Sequence, residues 1–256
     1  MKGNIEPRED ETVDSLSCAK LRILQKKYGY RYSLDAYLLA AFVEESPGTH
    51  ILEIGSGSGV ISILLAAVKG LKVTGVEIQE NLAEMSRRSV EYCGLSDSVQ
   101  IVCSDIREIL GPRVEVVVTN PPFRPLATGR INPSREKALA RHELALDLEG
   151  LLRKAYELLR PGGRFYIVYP AWRIPDLICS MRVHRLEPKC VRSVHPSLGT
   201  NAQICLVCGL REGGRECSIE RPLYVYAEDG SYHEEIKAMF QCLSFQKKPL
   251  TSRRDT

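Results

Sequence analysis

The segment Asn120-Pro121-Pro122-Phe123 directly follows a β-branched run, VVVT, and combines an amide, two prolines and an aromatic ring. Because proline has no backbone N–H for a β-ladder, the strand must end here. The amide oxygen of Asn120 and the carbonyl of Pro121 can accept the two N–H bonds of a planar amine, and Phe123 can stack on its ring. Such contacts orient a weakly nucleophilic nitrogen toward an electrophile. The motif predicts a catalytic turn for nitrogen nucleophiles; a plain strand-ending turn is the alternative.

A glycine-rich turn, EIGSGSGV, joins a predicted strand to a predicted helix. Its glycines, Gly55, Gly57 and Gly59, are spaced GxGxG, whereas the dinucleotide fingerprint would require a small residue in place of Val60. Glu53 would repel a pyrophosphate, but it suits a ligand that carries an ammonium and a sulfonium. The turn therefore predicts a binding site for S-adenosylmethionine and argues against NAD.

Two further acidic residues follow the next predicted strands. Glu77, with Ile78 beside it, ends the second strand, where an acidic side chain commonly holds ribose hydroxyls. Asp105 ends the third strand and can accept a hydrogen bond from the adenine amine of S-adenosylmethionine, with Ile106 packed on the adenine ring. A helix-capping role for Asp105 and a solvated Glu77 are the alternatives.

Alternating strands and helices must position these residues. The pattern implies βαβ units and a parallel sheet that is covered on both faces. Residues 187–196 and 201–212 are expected to form an antiparallel pair of strands near the C-terminus. Near the N-terminus, helices are expected near 16–27 and over 34–45. Strands are predicted at 49–55, 71–79, 98–105, 113–120 and 164–170, and helices at 58–70, 81–94 and 146–163.

Composition excludes several classes of protein. A chain of 256 residues can bury a large core, and its net charge of +3 neither identifies nor excludes a nucleic-acid binder. Its longest apolar stretch is too short to span a bilayer, and no export signal is visible. Nine cysteines without a disulfide framework indicate reduced thiols and a cytoplasmic protein. Cys205 and Cys208 form a CxxC without a second pair, which favours packing in a strand over a metal site.

The segments EIGSGSG, VEIQ, SDIRE and NPPF, in this order, resemble the class I N-methyltransferases of the adenine-N6 and glutamine-amide type. RYSLDAYLLAAF before the glycine turn and ARHE (140–143) after NPPF narrow the resemblance to the bacterial tRNA1(Val) adenine-N6-methyltransferases. The resemblance covers about residues 11–230. It implies a Rossmann-like α/β fold with a seven-stranded, mostly parallel sheet, an antiparallel C-terminal strand and helices on both faces.

The resemblance also implies a division of the chain and a set of contacts. Residues 1–46 would be an N-terminal extension with helices that line the donor site, 47–230 the methyltransferase domain, and 231–256 a C-terminal helix with a frayed tail. Asn120 would contact the donor as well as the target base, and Tyr32 and Asp35 would help to close the donor pocket.

The implied reaction transfers a methyl group from S-adenosylmethionine to the N6 amine of an adenine in tRNA, the adenine beside the anticodon. The expected partner is tRNA, with no membrane and no metal, and the protein is expected to be a monomer or a homodimer. A glutamine amide of a protein, another amino group in RNA or DNA, and an inactive donor-binding protein are the alternatives. Basic residues of the loop after NPPF suit RNA phosphates, although a solvated loop would carry the same residues: Arg124, Arg130, Arg135, Lys137 and Arg141.

Overall fold

The computed structural model describes residues 5–16, 21–29, 31–122 and 148–243. Its strands are β1 (Glu11–Leu16), β2 (Leu21–Lys26), β3 (His50–Ile54), β4 (Lys72–Glu77), β5 (Val99–Cys103), β6 (Val114–Thr119), β7 (Leu159–Pro170), β8 (Leu186–His195), β9 (Ile204–Arg211), β10 (Ser218–Ile219) and β11 (Leu223–Tyr224). Its helices are α1 (Leu34–Phe42), α2 (Val60–Lys69), α3 (Glu80–Tyr92), α4 (Leu148–Leu158), α5 (Ile174–Val183) and α6 (Glu234–Cys242).

A large sheet with the strand order β10-β8-β9-β7-β6-β3-β4-β5 forms the centre of the molecule, and β11 also pairs with β8. Strands β3 to β7 are parallel to their neighbours among themselves, whereas β9 runs antiparallel to both β7 and β8. The seven long strands, β3 to β9, are those the sequence predicts, and β10 and β11 add two residues each. The predicted α/β fold, with a mostly parallel sheet and one antiparallel strand near the C-terminus, is confirmed.

Helices cover both faces of the sheet. Because successive side chains of a strand point to opposite faces, the core consists of two layers, one on each face. On β3, Ile51 packs with α1, α2 and α6 on one face, whereas Leu52 and Ile54 pack with α4 and α5 on the other. The CxxC pair follows the same rule, since Cys205 faces the α4 side and Cys208 the α1 side. The prediction that this motif is strand packing is confirmed.

The helix predicted near residues 16–27 is wrong. β1 and β2 form an antiparallel hairpin instead. Ile23 packs in the main core while Leu24 packs on Met85 of α3, so both faces of β2 are covered. A short strand that is apolar on both faces cannot be distinguished from a helix by periodicity, which explains the error.

Polar contacts fix the hairpin to α3. The buried carboxylate of Glu11 lies 2.5 Å from a guanidinium nitrogen of Arg88, and the backbone N–H of Leu24 donates to Ser89 Oγ at 2.9 Å. The sequence analysis predicts no helix at α5, which is separated from β7 by the 3₁₀ turn Ala171–Arg173. The helix expected over 34–45 is α1, and the C-terminal helix is α6; the tail beyond residue 243 lies outside the described residues.

None of the helices in the described part of the chain has the length and apolarity needed to cross a membrane. Nor does that part of the chain bring together three or more side chains of the His, Cys, Asp or Glu type in a geometry that could hold a metal ion.

Candidate active site

The register of the sheet brings the predicted site residues to one edge. Ile54 at the end of β3 is paired with Val76 of β4 and with Thr119 of β6, and Glu77 is paired with Cys103 of β5. Four neighbouring parallel strands therefore end at the same level. Open α/β sheets bind ligands in this place, outside the carboxyl ends of their strands.

The glycine turn is held against the end of β4. The backbone N–H groups of Gly55 and Ser56 donate to the carbonyl of Val76 at 2.9 and 3.0 Å. Gly59 has a φ of +79°, which side chains disfavour, and a Cβ added there would lie 2.1 Å from the hydroxyl of Ser86. Glycine at position 59 is thus required by the backbone angle and by the packing of α3.

Glu77 ties the second strand to the glycine turn. Its carboxylate is 3% exposed and accepts the backbone N–H of Gly57 at 2.8 Å and that of Gln79 at 2.9 Å. Burial raises the pKa of this carboxyl, and these two hydrogen bonds oppose the rise. Backbone N–H groups on both sides thus fix the direction of the carboxylate. Ile78 lies beside it, partly exposed.

Glu53 places a carboxyl in the interior beneath the glycine turn. It is 1% exposed and accepts a hydrogen bond from the hydroxyl of Ser62 in α2. Burial raises its pKa to about 8, and the nearby Glu77 contributes to the rise. Within the described residues no Lys, Arg or His pairs with it. A cationic ligand nearby would favour the charged form of this carboxyl.

Asp105 caps the short turn that follows β5. Its carboxylate accepts the backbone N–H of Arg107 at 2.8 Å and also pairs with the Arg107 guanidinium, which lowers the pKa of Asp105. The capping alternative is therefore what the structure shows. Ile106 is buried against the α4 side of the core. The contacts of Asp105 and Ile106 with the adenine ring of the donor remain predictions.

Lys154 of α4, which is not among the residues predicted from the sequence, holds this turn in place. The buried ammonium donates to the carbonyl of Ile109 at 2.9 Å and to that of Arg107 at 3.4 Å. A lysine on the inner face of a predicted amphipathic helix was the available signal, because a buried lysine requires hydrogen-bond acceptors.

The Asn-Pro-Pro segment begins directly after β6. The hydroxyl of Thr119 donates to the carbonyl of Ile54 at 3.0 Å, which joins the ends of β6 and β3. Asn120 and Pro121 are partly exposed and Pro122 is exposed. The remaining predicted residues of this region lie outside the described residues, so their roles stay predictions: Phe123, Arg124, Arg130, Arg135, Lys137 and Arg141.

The carboxyl ends of α1 and α2 are joined by hydrogen bonds. Lys69 at the end of α2 donates to the carbonyls of Ala41 and Val43 at the end of α1. Tyr32 precedes α1, and its backbone N–H donates to the buried side chain of Gln25 in the hairpin. Asp35 follows in the first turn, and burial raises its pKa.

These groups fit S-adenosylmethionine. Glu53 offers a buried carboxyl to a cation, and Glu77 offers hydroxyls a carboxylate whose direction is fixed by backbone N–H groups. Ser56 and Ser58 in the glycine turn bury hydroxyls that find no hydrogen-bond partner in the described structure. Buried polar groups are rarely left unpaired, so these hydroxyls indicate a site that is completed by a ligand.

Comparisons with known proteins agree with this reading. The family model of the methyltransferase small domain matches residues 34–173. The tRNA1(Val) (adenine(37)-N6)-methyltransferase of Porphyromonas gingivalis is 34% identical over 68% of this chain and 72% of its own length. The enzyme of the same name from Aeromonas hydrophila is 28% identical over 78% of this chain and 84% of its own.

Solved structures show the same fold. The crystal structure of a predicted O-methyltransferase from Agrobacterium tumefaciens superimposes with a TM-score of 0.67 at 18% identity, covering 84% of this chain and 99% of that one. The chain therefore belongs to the methyltransferase small domain family of class I S-adenosylmethionine-dependent methyltransferases, together with the tRNA1(Val) (adenine(37)-N6)-methyltransferases that it resembles in sequence.

Proposed function

We propose that the protein transfers the methyl group of S-adenosylmethionine to the exocyclic N6 of an adenine in tRNA, the adenine beside the anticodon. The observation that carries the proposal is the position of Asn120-Pro121-Pro122 at the carboxyl end of β6, next to the strand that carries the glycine turn. The names of the relatives support the choice of tRNA and of adenine.

The side chains that fit the cofactor have separate tasks. S-adenosylmethionine, when bound, supplies an electrophilic methyl group on a sulfonium. Glu77 would hold the ribose hydroxyls, and its own bonds to Gly57 and Gln79 fix the direction of its carboxylate. Glu53 would balance the positive charge of the ligand from beneath the turn. The turn after β5, with Asp105 and Ile106, would border the adenine ring of S-adenosylmethionine.

Asn120 and Pro121 would orient the acceptor. The amide oxygen of Asn120 and the carbonyl of Pro121 would accept the two N–H bonds of the adenine amine. These bonds strengthen as positive charge develops on the attacking nitrogen, so they stabilise the transition state more than the ground state. The prolines restrict the backbone and keep the carbonyl in place. No strong base is needed, because the proton can leave after the transfer.

A transfer assay with labelled S-adenosylmethionine and unmodified bulk tRNA, followed by nucleoside analysis, tests the proposal. We expect label in N6-methyladenosine. Asn120→Ala should reduce kcat by at least about 100-fold, because it removes a preorganised transition-state contact. Its affinity for S-adenosylhomocysteine and its melting temperature are measured alongside.

Unchanged kcat in Asn120→Ala would contradict the proposed role of the amide. Donor binding without label in tRNA would contradict the choice of substrate and direct the assay to release factors and DNA. The variant Asn120→Asp is a matched control, since it keeps the size of the side chain and one acceptor oxygen. It should retain more activity than the alanine variant.

A further inference from the structure

An aromatic side chain is exposed at the edge of the sheet where the candidate site lies. Trp172 keeps 71% of its surface accessible, while Tyr169 before it is buried. It belongs to the 3₁₀ turn Ala171–Arg173, which directly follows β7. β7 is the parallel neighbour of β6, with Ile167 paired to Thr119. The turn therefore lies beside the Asn-Pro-Pro segment, at the carboxyl end of the adjacent strand.

The backbone beneath this indole is fixed. The N–H of Ala171 donates to the carbonyl of Gln203 at 2.9 Å, and Pro170 is paired with Ile204 of β9. Helix α5 starts at Ile174, immediately after the turn. The ring is thus presented to solvent from a turn that is anchored on both sides, a geometry that suits recognition.

Arg173 adds a positive charge next to the ring. Its guanidinium carbon lies 5.7 Å from the ring centroid of Trp172 and 5.3 Å from that of Tyr169, within cation–π range. Its Nε is 3.6 Å from a carboxylate oxygen of the exposed Asp176. Because Asp176 is exposed and the contact is long, this ion pair is weak, and the guanidinium of the partly exposed Arg173 can exchange this partner for a phosphate.

We propose that Trp172 and Arg173 form a docking platform for the RNA substrate. The indole stacks on a base that neighbours the target adenine, and the guanidinium contacts the phosphate backbone. The proposal rests on the proposed RNA substrate. An adenine that reaches Asn120 must leave its stack, so its neighbour loses a stacking partner, which an aromatic ring can replace. Indole and guanidinium together are complementary to a nucleotide, which offers both a planar ring and an anion.

The fluorescence of the protein gives a direct test, because Trp172 is the single tryptophan of the chain. Titration of the full-length protein with unmodified tRNA should quench its emission in a saturable manner, since stacked bases quench indole. S-adenosylhomocysteine alone should leave the emission nearly unchanged. An emission that tRNA leaves unchanged would overturn the proposal.

Steady-state kinetics give an independent test at saturating S-adenosylmethionine. Trp172→Ala should raise KM for tRNA about tenfold or more, with kcat and the Kd of the donor nearly unchanged. Trp172→Phe should restore most of the affinity. Val183→Ala is the matched control, because Val183 is 74% exposed at the end of α5, away from this edge, and should leave KM unaltered.

The outcomes separate this proposal from the proposed function. Methylation of tRNA with an unaltered KM in Trp172→Ala would overturn the platform and leave the enzyme's function intact. Saturable quenching by tRNA without methylation would support the platform and overturn the proposed reaction. An equal rise of KM in Val183→Ala would also overturn the platform, because the effect would then be nonspecific.

Discussion

At the scale of single residues, Glu53 carries the clearest electrostatic signature of the site. Its buried carboxyl is bonded to Ser62, and its pKa of about 8 compares with an ordinary value of 4.5. The carboxyl is therefore largely protonated near neutral pH in the protein without donor. A ligand with an ammonium and a sulfonium would reverse this by favouring the carboxylate.

This pKa predicts how stability depends on pH. Between about pH 4.5 and about pH 8 the folded chain holds a proton that the unfolded chain has lost, so the free energy of unfolding falls as the pH rises. Glu53→Gln removes this contribution and keeps an acceptor for Ser62. Urea unfolding of the donor-free protein at pH 5 and pH 8 should show a smaller loss in the variant than in the wild type. Equal losses would show that Glu53 is already ionised.

The same group tests the proposed contact with the donor. If the cation of the donor lies near Glu53, binding at pH 7 should release a proton. Calorimetric titration with S-adenosylhomocysteine, which keeps the ammonium, in phosphate and in Tris would measure this release, because the two buffers differ in ionisation enthalpy. We expect proton release on ligand binding in the wild type and none from residue 53 in Glu53→Gln.

At the scale of elements, helix α4 supports the turn after β5 through one side chain. Lys154 donates to the carbonyls of Arg107 and Ile109, and Ile106 packs on the same helix face. The turn carries Asp105 and Ile106, the residues proposed to border the adenine. Its position therefore depends on a residue far along the chain.

Replacement of this lysine should loosen the donor site. Lys154→Met keeps the aliphatic stem but leaves both carbonyls without their donor, and we expect the Kd of S-adenosylhomocysteine to rise about five- to tenfold. Calorimetric titration measures the change. Glu157→Gln is the matched control, because it removes only the ion pair of Lys154, which is 3.5 Å long. An equal effect of both variants would assign the role to the ion pair instead.

The parallel strands and the glycine turn were predictable from sequence because their signals are local. Runs of β-branched residues end at glycine, acidic or proline residues, as at Gly55 and Pro121. The hairpin was not predictable, because β2 is covered on both faces by partners distant in sequence. Nor was the support of Lys154, since it depends on a tertiary contact.

At the scale of the whole molecule, the candidate site residues lie along one edge of the sheet. The glycine turn, Glu77 and Asp105 lie at the ends of β3, β4 and β5, and Asn120 follows at the end of β6. Trp172 continues the row beyond β7. The proposed donor and acceptor sites are thus adjacent along the edge, so the proposed methyl transfer requires only that the target base reach the Asn-Pro-Pro turn.

Two transcripts that differ at one nucleotide test the proposed reaction most directly. A tRNA1(Val) transcript is compared with a transcript in which the adenine at position 37, the position named in the relatives, is replaced by guanosine. We expect label from S-adenosylmethionine, in N6-methyladenosine, for the first transcript and none for the second. Equal labelling of both, or label in another nucleoside, would contradict the proposed reaction.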